Sequence, residues 1–221
     1  MEKRQLILNG YKTAEDGLFT LASLKITKAS QVQNFVDVPG RFAPLDLSTA
    51  LTDGEPYYGS ATLEAVLESS EGTREERQAR TDEMINTLDG YLVQIIHPDH
   101  PGRYMRGRVQ FFPEYNDLVH CRVTVFAICD AWLYSSAEKV ITKSLTATAQ
   151  TVNLPNTGRL SVVPTISVSA NATLVYKDKT WTLGKGTHQL PELYLTPGTH
   201  AVTCSGSGTV AFTYREAVLA E

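Results

Sequence analysis

No run of about 18 apolar residues occurs in this chain, so no membrane-spanning helix is expected. The opening residues MEKRQLILNGYKTAEDG lack the apolar core of a secretory signal, which points to a protein made and kept in the cytoplasm until something else releases it. Cysteine is scarce. Cys121, Cys129 and Cys204 are an odd, widely spaced set with no C-x-x-C pair, which argues against a disulfide framework and for reduced thiols packed as small apolar groups. There is no G-x-S-x-G, no P-loop and no dinucleotide fingerprint. No basic patch argues for tight nucleic-acid binding. These absences lead to the expectation of no catalytic group, no cofactor and no resident metal.

What is present is ordinary for a globular protein. The 221 residues are 42% hydrophobic and 20% charged, enough for one large or two small domains. The net charge of −4 hides an asymmetry: residues 1–135 hold 13 Lys+Arg against 19 Asp+Glu, and residues 136–221 hold 7 against 5. After Trp132-Leu133-Tyr134 the texture changes to short Thr-, Ser- and Val-rich runs between tight turns, the pattern of a β-sandwich. The boundary is placed near residue 135, giving domains 1–135 and 136–221.

The only strong helix signal is TREERQARTDEMINTLDG, read as a helix over about 73–89. Thr73 and Glu76 have the spacing of a capping box. Met84, Ile85 and Leu88 mark a narrow apolar stripe, and Gly90 suits the left-handed position after the last turn. Most of the circumference is charged, so the helix is either a solvated cover or a face that meets another copy. Ahead of it, Gln5–Asn9 reads as a strand stopped by Asn9-Gly10, and Phe19–Lys28 as a second strand. Val36–Leu51 is a structured loop broken by Pro39-Gly40 and Pro44. In Ser60–Glu68, Leu63, Ala65 and Leu67 face one way and the intervening residues the other. Strand 91–97 follows the helix, as a parallel right-handed crossover or with antiparallel neighbours. Arg103–Phe112 and Leu118–Cys129 form a hairpin, with Val119, Cys121, Val123, Val125 and Ala127 on one face.

Candidate chemistry is thin. His97-Pro98-Asp99-His100 has zinc-ligand residue types, but in a Pro-rich turn, which favours a solvated turn over a metal site. His120 and Cys121 are adjacent on a strand and therefore point to opposite faces. Glu114 and Asp117 are ordinary turn residues. Trp181, Tyr176 and Tyr194 could stack on a sugar or could fill a sandwich core.

Several stretches together resemble a known family. VDVPGRFAPLDLSTAL, TREERQARTDEMINTLDGYLVQIIHPD and RYMRGRVQFF resemble the N-terminal part of distal tail proteins of long-tailed, non-contractile bacteriophages and their prophages. PELYLTPGTHAVTCSGSGTVAFTYREAVL resembles that family's C-terminal galectin-like sandwich. The resemblance implies a mainly β protein: a sandwich- or barrel-like ring domain with one helix, then a galectin-like β-sandwich. It implies a structural role in the virion, assembled in the bacterial host cytoplasm. Six copies would form a ring joining the tail tube to the baseplate hub, with DNA only passing through the channel. Expected partners are further copies of itself, the tail-tube protein, the tape measure protein, the tail-associated hub protein and receptor-binding proteins, with no membrane involved. Arg41, Asp46, Arg77 and Arg80 are the candidate polar residues of the ring interface. The alternative is a carbohydrate-binding sandwich acting in host-surface adhesion, with Trp181, Tyr176 and Tyr194 as its stacking platform.

Overall fold

In the computed structural model, which describes residues 4–50, 52, 54–115 and 119–220, the chain is mainly strand with a single helix among the described residues. Contacts divide it into two units, Met1–Leu133 with Ala220–Glu221, and Tyr134–Leu219.

The first unit begins with a minimal hairpin, β1 (Ile7–Leu8) and β2 (Tyr11–Lys12). Asn9 (φ 50°) and Gly10 (φ 91°) are both left-handed, as a two-residue turn matched to strand twist requires. Then come β3 (Thr20–Thr27), β4 (Phe35–Val36), β5 (Leu45–Asp46), β6 (Ala61–Ser69), α1 (Arg74–Leu88), β7 (Leu92–Ile96), β8 (Arg103–Glu114) and β9 (Cys121–Cys129). The sheet runs β2-β1-β7-β8-β9-β6-β3, every neighbour antiparallel. The strands flanking the helix, β6 and β7, are not neighbours, because the β8–β9 hairpin lies between them. No parallel crossover forms here.

Strand alternation decides what is inside. Ala61, Leu63, Ala65 and Leu67 of β6 are buried, opposite Cys129, Ala127, Val125 and Val123 of β9. Val119, expected on that same face, precedes the strand and is exposed. At the centre, Gly107 of β8 leaves no room for a side chain: a Cβ there would stand 2.5 Å from Cys129 Sγ and 2.8 Å from the Ile128 carbonyl oxygen.

The helix closes the inner face, packing on β8 and β9. Its start is a capping box: the Glu76 amide donates to Thr73 Oγ1 at 3.2 Å, and the Thr73 amide donates to Glu76 Oε2 at 2.8 Å. Such caps contribute about 1 kcal/mol. Its end is tied to β8, where the Gly90 amide donates to the Val109 carbonyl and the Phe111 amide to Asp89 Oδ1. Gly90 is left-handed at φ 75°.

The strand β10 (Trp132–Ser135) spans the boundary, with Trp132 and Leu133 in the first unit and Tyr134 and Ser135 in the second. The strands β11 (Lys139–Ser144), β12 (Gln150–Asn156), β13 (Thr165–Val168), β14 (Ala172–Tyr176), β15 (Lys179–Leu183), β16 (Gly186–Gln189), β17 (Gly198–Gly206), β18 (Thr209–Tyr214) and β19 (Ala217–Leu219) follow. Two four-stranded antiparallel sheets, β11-β18-β13-β16 and β12-β17-β14-β15, enclose one core. Val210, Phe212 and Tyr214 enter it from β18, Leu174 from β14, and Val202 and Cys204 from β17. This is a β-sandwich.

Candidate assembly surface

Between β3 and β6 the chain leaves the main sheet and forms an arm. Its legs are held together by Val32 N–H to Tyr57 O, Leu47 N–H to Asn34 O and Gly59 N–H to Ser30 O, and by the β4–β5 pairing. Near the tip, Pro39 and Gly40 (φ 84°) occupy the middle of a turn closed by the Arg41 amide on the Val38 carbonyl, the residue order of a type II turn. The arm is apolar where it is most exposed. Val32, Phe35, Val36, Val38 and Tyr57 are all exposed, and Phe42 is fully so, at 111%. Clusters of this kind on a protein surface mark interaction sites.

Two of the four sequence-nominated interface residues, Arg41 and Asp46, stand exposed on this arm. Hydrogen bonds from the Ser48 hydroxyl and amide hold the Asp46 carboxyl below the usual carboxylate range. Arg77 and Arg80 are placed differently from the expectation of an outward charged face. Arg77 is only 4% exposed, and its guanidinium donates to the Gly72 carbonyl. Arg80 is half-buried and donates to the Glu71 carbonyl at 2.6 Å. The two arginines thus tie the β6–α1 connection to the helix. The signal was available: stepping back from Leu88 and Met84 by three or four residues reaches Thr81 and then Arg77, the buried face of α1. The outward side instead presents Arg74, Glu75, Gln78, Asp82 and Glu83.

The aromatic candidates in the second unit are largely occupied. Tyr176 is buried, and its Oη lies 2.8 Å from His200 Nδ1. His200 Nε2 sits 2.8 Å from the Thr196 carbonyl, so it carries the proton, and in the neutral ring Nδ1 accepts from the tyrosine. Lys177 Nζ covers the Tyr194 ring at 4.7 Å from its centroid, and Trp181 packs half-buried against the core.

The turn after β7 corrects another expectation. His97 is not solvated: it is 2% exposed, continuing the inward alternation of Val93 and Ile95. Neither ring nitrogen has a hydrogen-bond partner among the described residues. Asp99 Oδ2 is 3.8 Å from Nδ1 but is engaged by Arg4 at 2.9 Å, and the His100 ring stands edge-on at 4.8 Å. Beside it is a cavity of about 480 Å³ lined by Arg4, Gln5, Ile7, Ile96, Pro98, Pro101 and His97 itself. Among the described residues, no three His, Cys, Asp or Glu side chains are grouped to hold a metal ion.

Burial, then the charge of His100, push the His97 pKa below its ordinary value, against the pull of Asp99. An imidazole harder to protonate folded than unfolded stabilises fully above its unfolded pKa, and that contribution is lost as pH falls toward the folded pKa. Urea unfolding of wild type and His97→Leu at about pH 7.5 and about pH 5 checks this, since the free imidazole titrates near 6.5. Wild type loses more stability between the two than the variant. Equal losses would show that the buried imidazole is not the acid-labile group.

No protein-family model matches the chain, and no curated protein does. A solved structure does match: the Dit protein (gp 19.1) of phage SPP1, described as a paradigm of the hub adsorption apparatus in phages that infect Gram-positive bacteria. The two superpose with a TM-score of 0.68 at 16% sequence identity, over 97% of this chain and 99% of that one. At that identity the likeness is one of fold, and the chain has, from end to end, the fold of the SPP1 Dit protein.

Proposed function

We propose that this chain is a structural protein of a phage tail tip. Six copies form a ring that joins the tail tube to the baseplate hub and surrounds the DNA channel. The carrying observation is the likeness to SPP1 Dit, which covers 97% of this chain and 99% of that one. In this reading the first unit builds the ring and the galectin-like sandwich lies at its periphery. The neighbours are the tail-tube protein, the tape measure protein, the tail-associated hub protein and receptor-binding proteins. The role is not enzymatic, and the protein resides in the virion after assembly in the host cytoplasm.

A closed ring needs a heterologous contact, in which two different surfaces of each copy meet. The arm supports this, since it presents apolar side chains with polar Arg41 and Asp46 among them. Arg77 and Arg80 serve the interface indirectly, by holding the start of α1. The open face of the sheet is balanced in charge, with Lys25, Arg106, Arg108 and Arg122 against Glu64, Glu68, Glu114 and Asp130. The outward side of α1 carries the acidic surplus, and a channel that repels phosphate is one lined by that side. Light scattering tests the assembly: the wild type gives a six-copy mass, and reversing Arg41 and Asp46 together lowers it, while each copy loses only about 1 kcal/mol with the Asp46–Ser48 hydrogen bonds. A six-copy mass unaffected by the reversal would remove these residues from the interface.

A further inference from the structure

We infer that a proton taken up by His97 draws Asp99 away from Arg4 and unclasps the chain ahead of β1 from the turn between β7 and β8. Every group involved belongs to one chain, so the switch needs no second copy. Neutral His97 is packed inward in line with Val93 and Ile95, and neither of its nitrogens is paired among the described residues. The charged and titratable groups that face it are Asp99 and His100 of the same turn, and Arg4 from the chain ahead of β1. Asp99 Oδ2 lies 3.8 Å from Nδ1, too far for a hydrogen bond but a short movement from one. In the neutral state that carboxylate holds Arg4, whose Nη2 donates to Oδ2 at 2.9 Å and to Oδ1 at 3.2 Å. This clasp extends a β1–β7 pairing that is itself only two residues long, Ile7 opposite Ile96 and Leu8 opposite Ile95.

Burial decides between the two partners of Asp99. The side chains of Arg4 and Asp99 are 47% and 58% exposed, and an ion pair so well hydrated contributes little. An imidazolium formed at His97 is buried, and a buried cation without a counter-ion is costly. The His100 ring stands edge-on at 4.8 Å, so any charge on it adds repulsion. The carboxylate therefore gains more at His97 than it loses at Arg4. His97 and Arg4 both line the cavity of about 480 Å³, which leaves room for the ring to turn. Ring and carboxylate can then close to about 2.8 Å, the length of a charge-assisted hydrogen bond. Arg4 is left with its guanidinium in water.

The test follows the His97 ring by NMR in the full chain carrying isotope-labelled histidine, identified through its backbone assignment, from about pH 7.5 to about pH 4.5. Arg4→Gln leaves Asp99 free for His97 and is expected to raise the midpoint of its titration by about one pH unit. Asp99→Asn removes the receiving anion and is expected to lower it. Both substitutions fall on exposed side chains. Hydrogen exchange in the segment Arg4–Leu8, measured against α1 to cancel the general effect of pH, is expected to quicken about threefold as His97 titrates, the scale of a lost surface ion pair. Asp99→Asn, which lacks the clasp at every pH, is expected to show no such step. Exchange that stays flat through the His97 titration in wild type overturns the inference. So does a midpoint that Asp99→Asn fails to lower, or a His97 that takes up no proton before the whole chain unfolds. None of these outcomes depends on whether copies assemble into a ring.

Discussion

Phe212→Ala lowers the stability of the second unit by about 3–5 kcal/mol, the cost of truncating a fully buried aromatic and leaving a cavity. Phe212 is 0% exposed in β18, paired across to Ile141 of β11 and Ile166 of β13. Its ring is enclosed by the core that both sheets share, so no single loop movement refills the space. A domain of this size has about 5–15 kcal/mol to lose. The chain's two tryptophans make the measurement local: Trp132 lies in the first unit and Trp181 in the second. With Trp132 replaced by Phe, denaturant unfolding followed by Trp181 fluorescence shows the midpoint fall. Phe212→Leu, which keeps most of the volume, costs less, about 1.5 kcal/mol or below. An Ala variant no weaker than the Leu variant would contradict this packing.

Arg77→Glu has an effect of similar size, about 3–5 kcal/mol, because it leaves a charge buried without its partners. The wild-type guanidinium sits on the inner side of α1 and holds the Gly72 carbonyl. A carboxylate there repels that carbonyl and stands one position from Glu76, which already caps the helix. Glu75→Arg, on the outward side of the same turn, changes stability by about 0.5 kcal/mol or less. The pair separates two explanations of a charged helix. If Arg77→Glu leaves the melting temperature unchanged yet disperses an oligomer, the side chain faces a neighbour and its placement here is wrong. If the melting temperature drops and Glu75→Arg is silent, Arg77 is a structural residue.

Much of the β architecture was legible because it rests on local patterns. The alternation in Ser60–Glu68 became β6 with Leu63, Ala65 and Leu67 buried. Thr73 and Glu76 became a capping box, and Asn9-Gly10 and Pro39-Gly40 became turns. The pairing of distant strands was not legible: no local signal says that β8 and β9 separate β6 from β7. At His97 the sequence misleads, because Pro98 and Asp99 suggest a turn and turns suggest solvent. The inward alternation through Val93 and Ile95 in fact extends one residue past the strand. The charge of Arg77 suggests exposure, but its long stem lets it lie along an apolar face and reach a backbone carbonyl. The arm's composition, VDVPGRF, was visible, but its lack of cover within its own copy is a tertiary fact that no window of sequence contains.

The ring itself is tested most directly by negative-stain imaging of the purified chain, alone and mixed with its tail hub protein. Six-fold rings with a central hole are expected. Monomers or two-fold dimers in both preparations would contradict the assembly proposed for this fold.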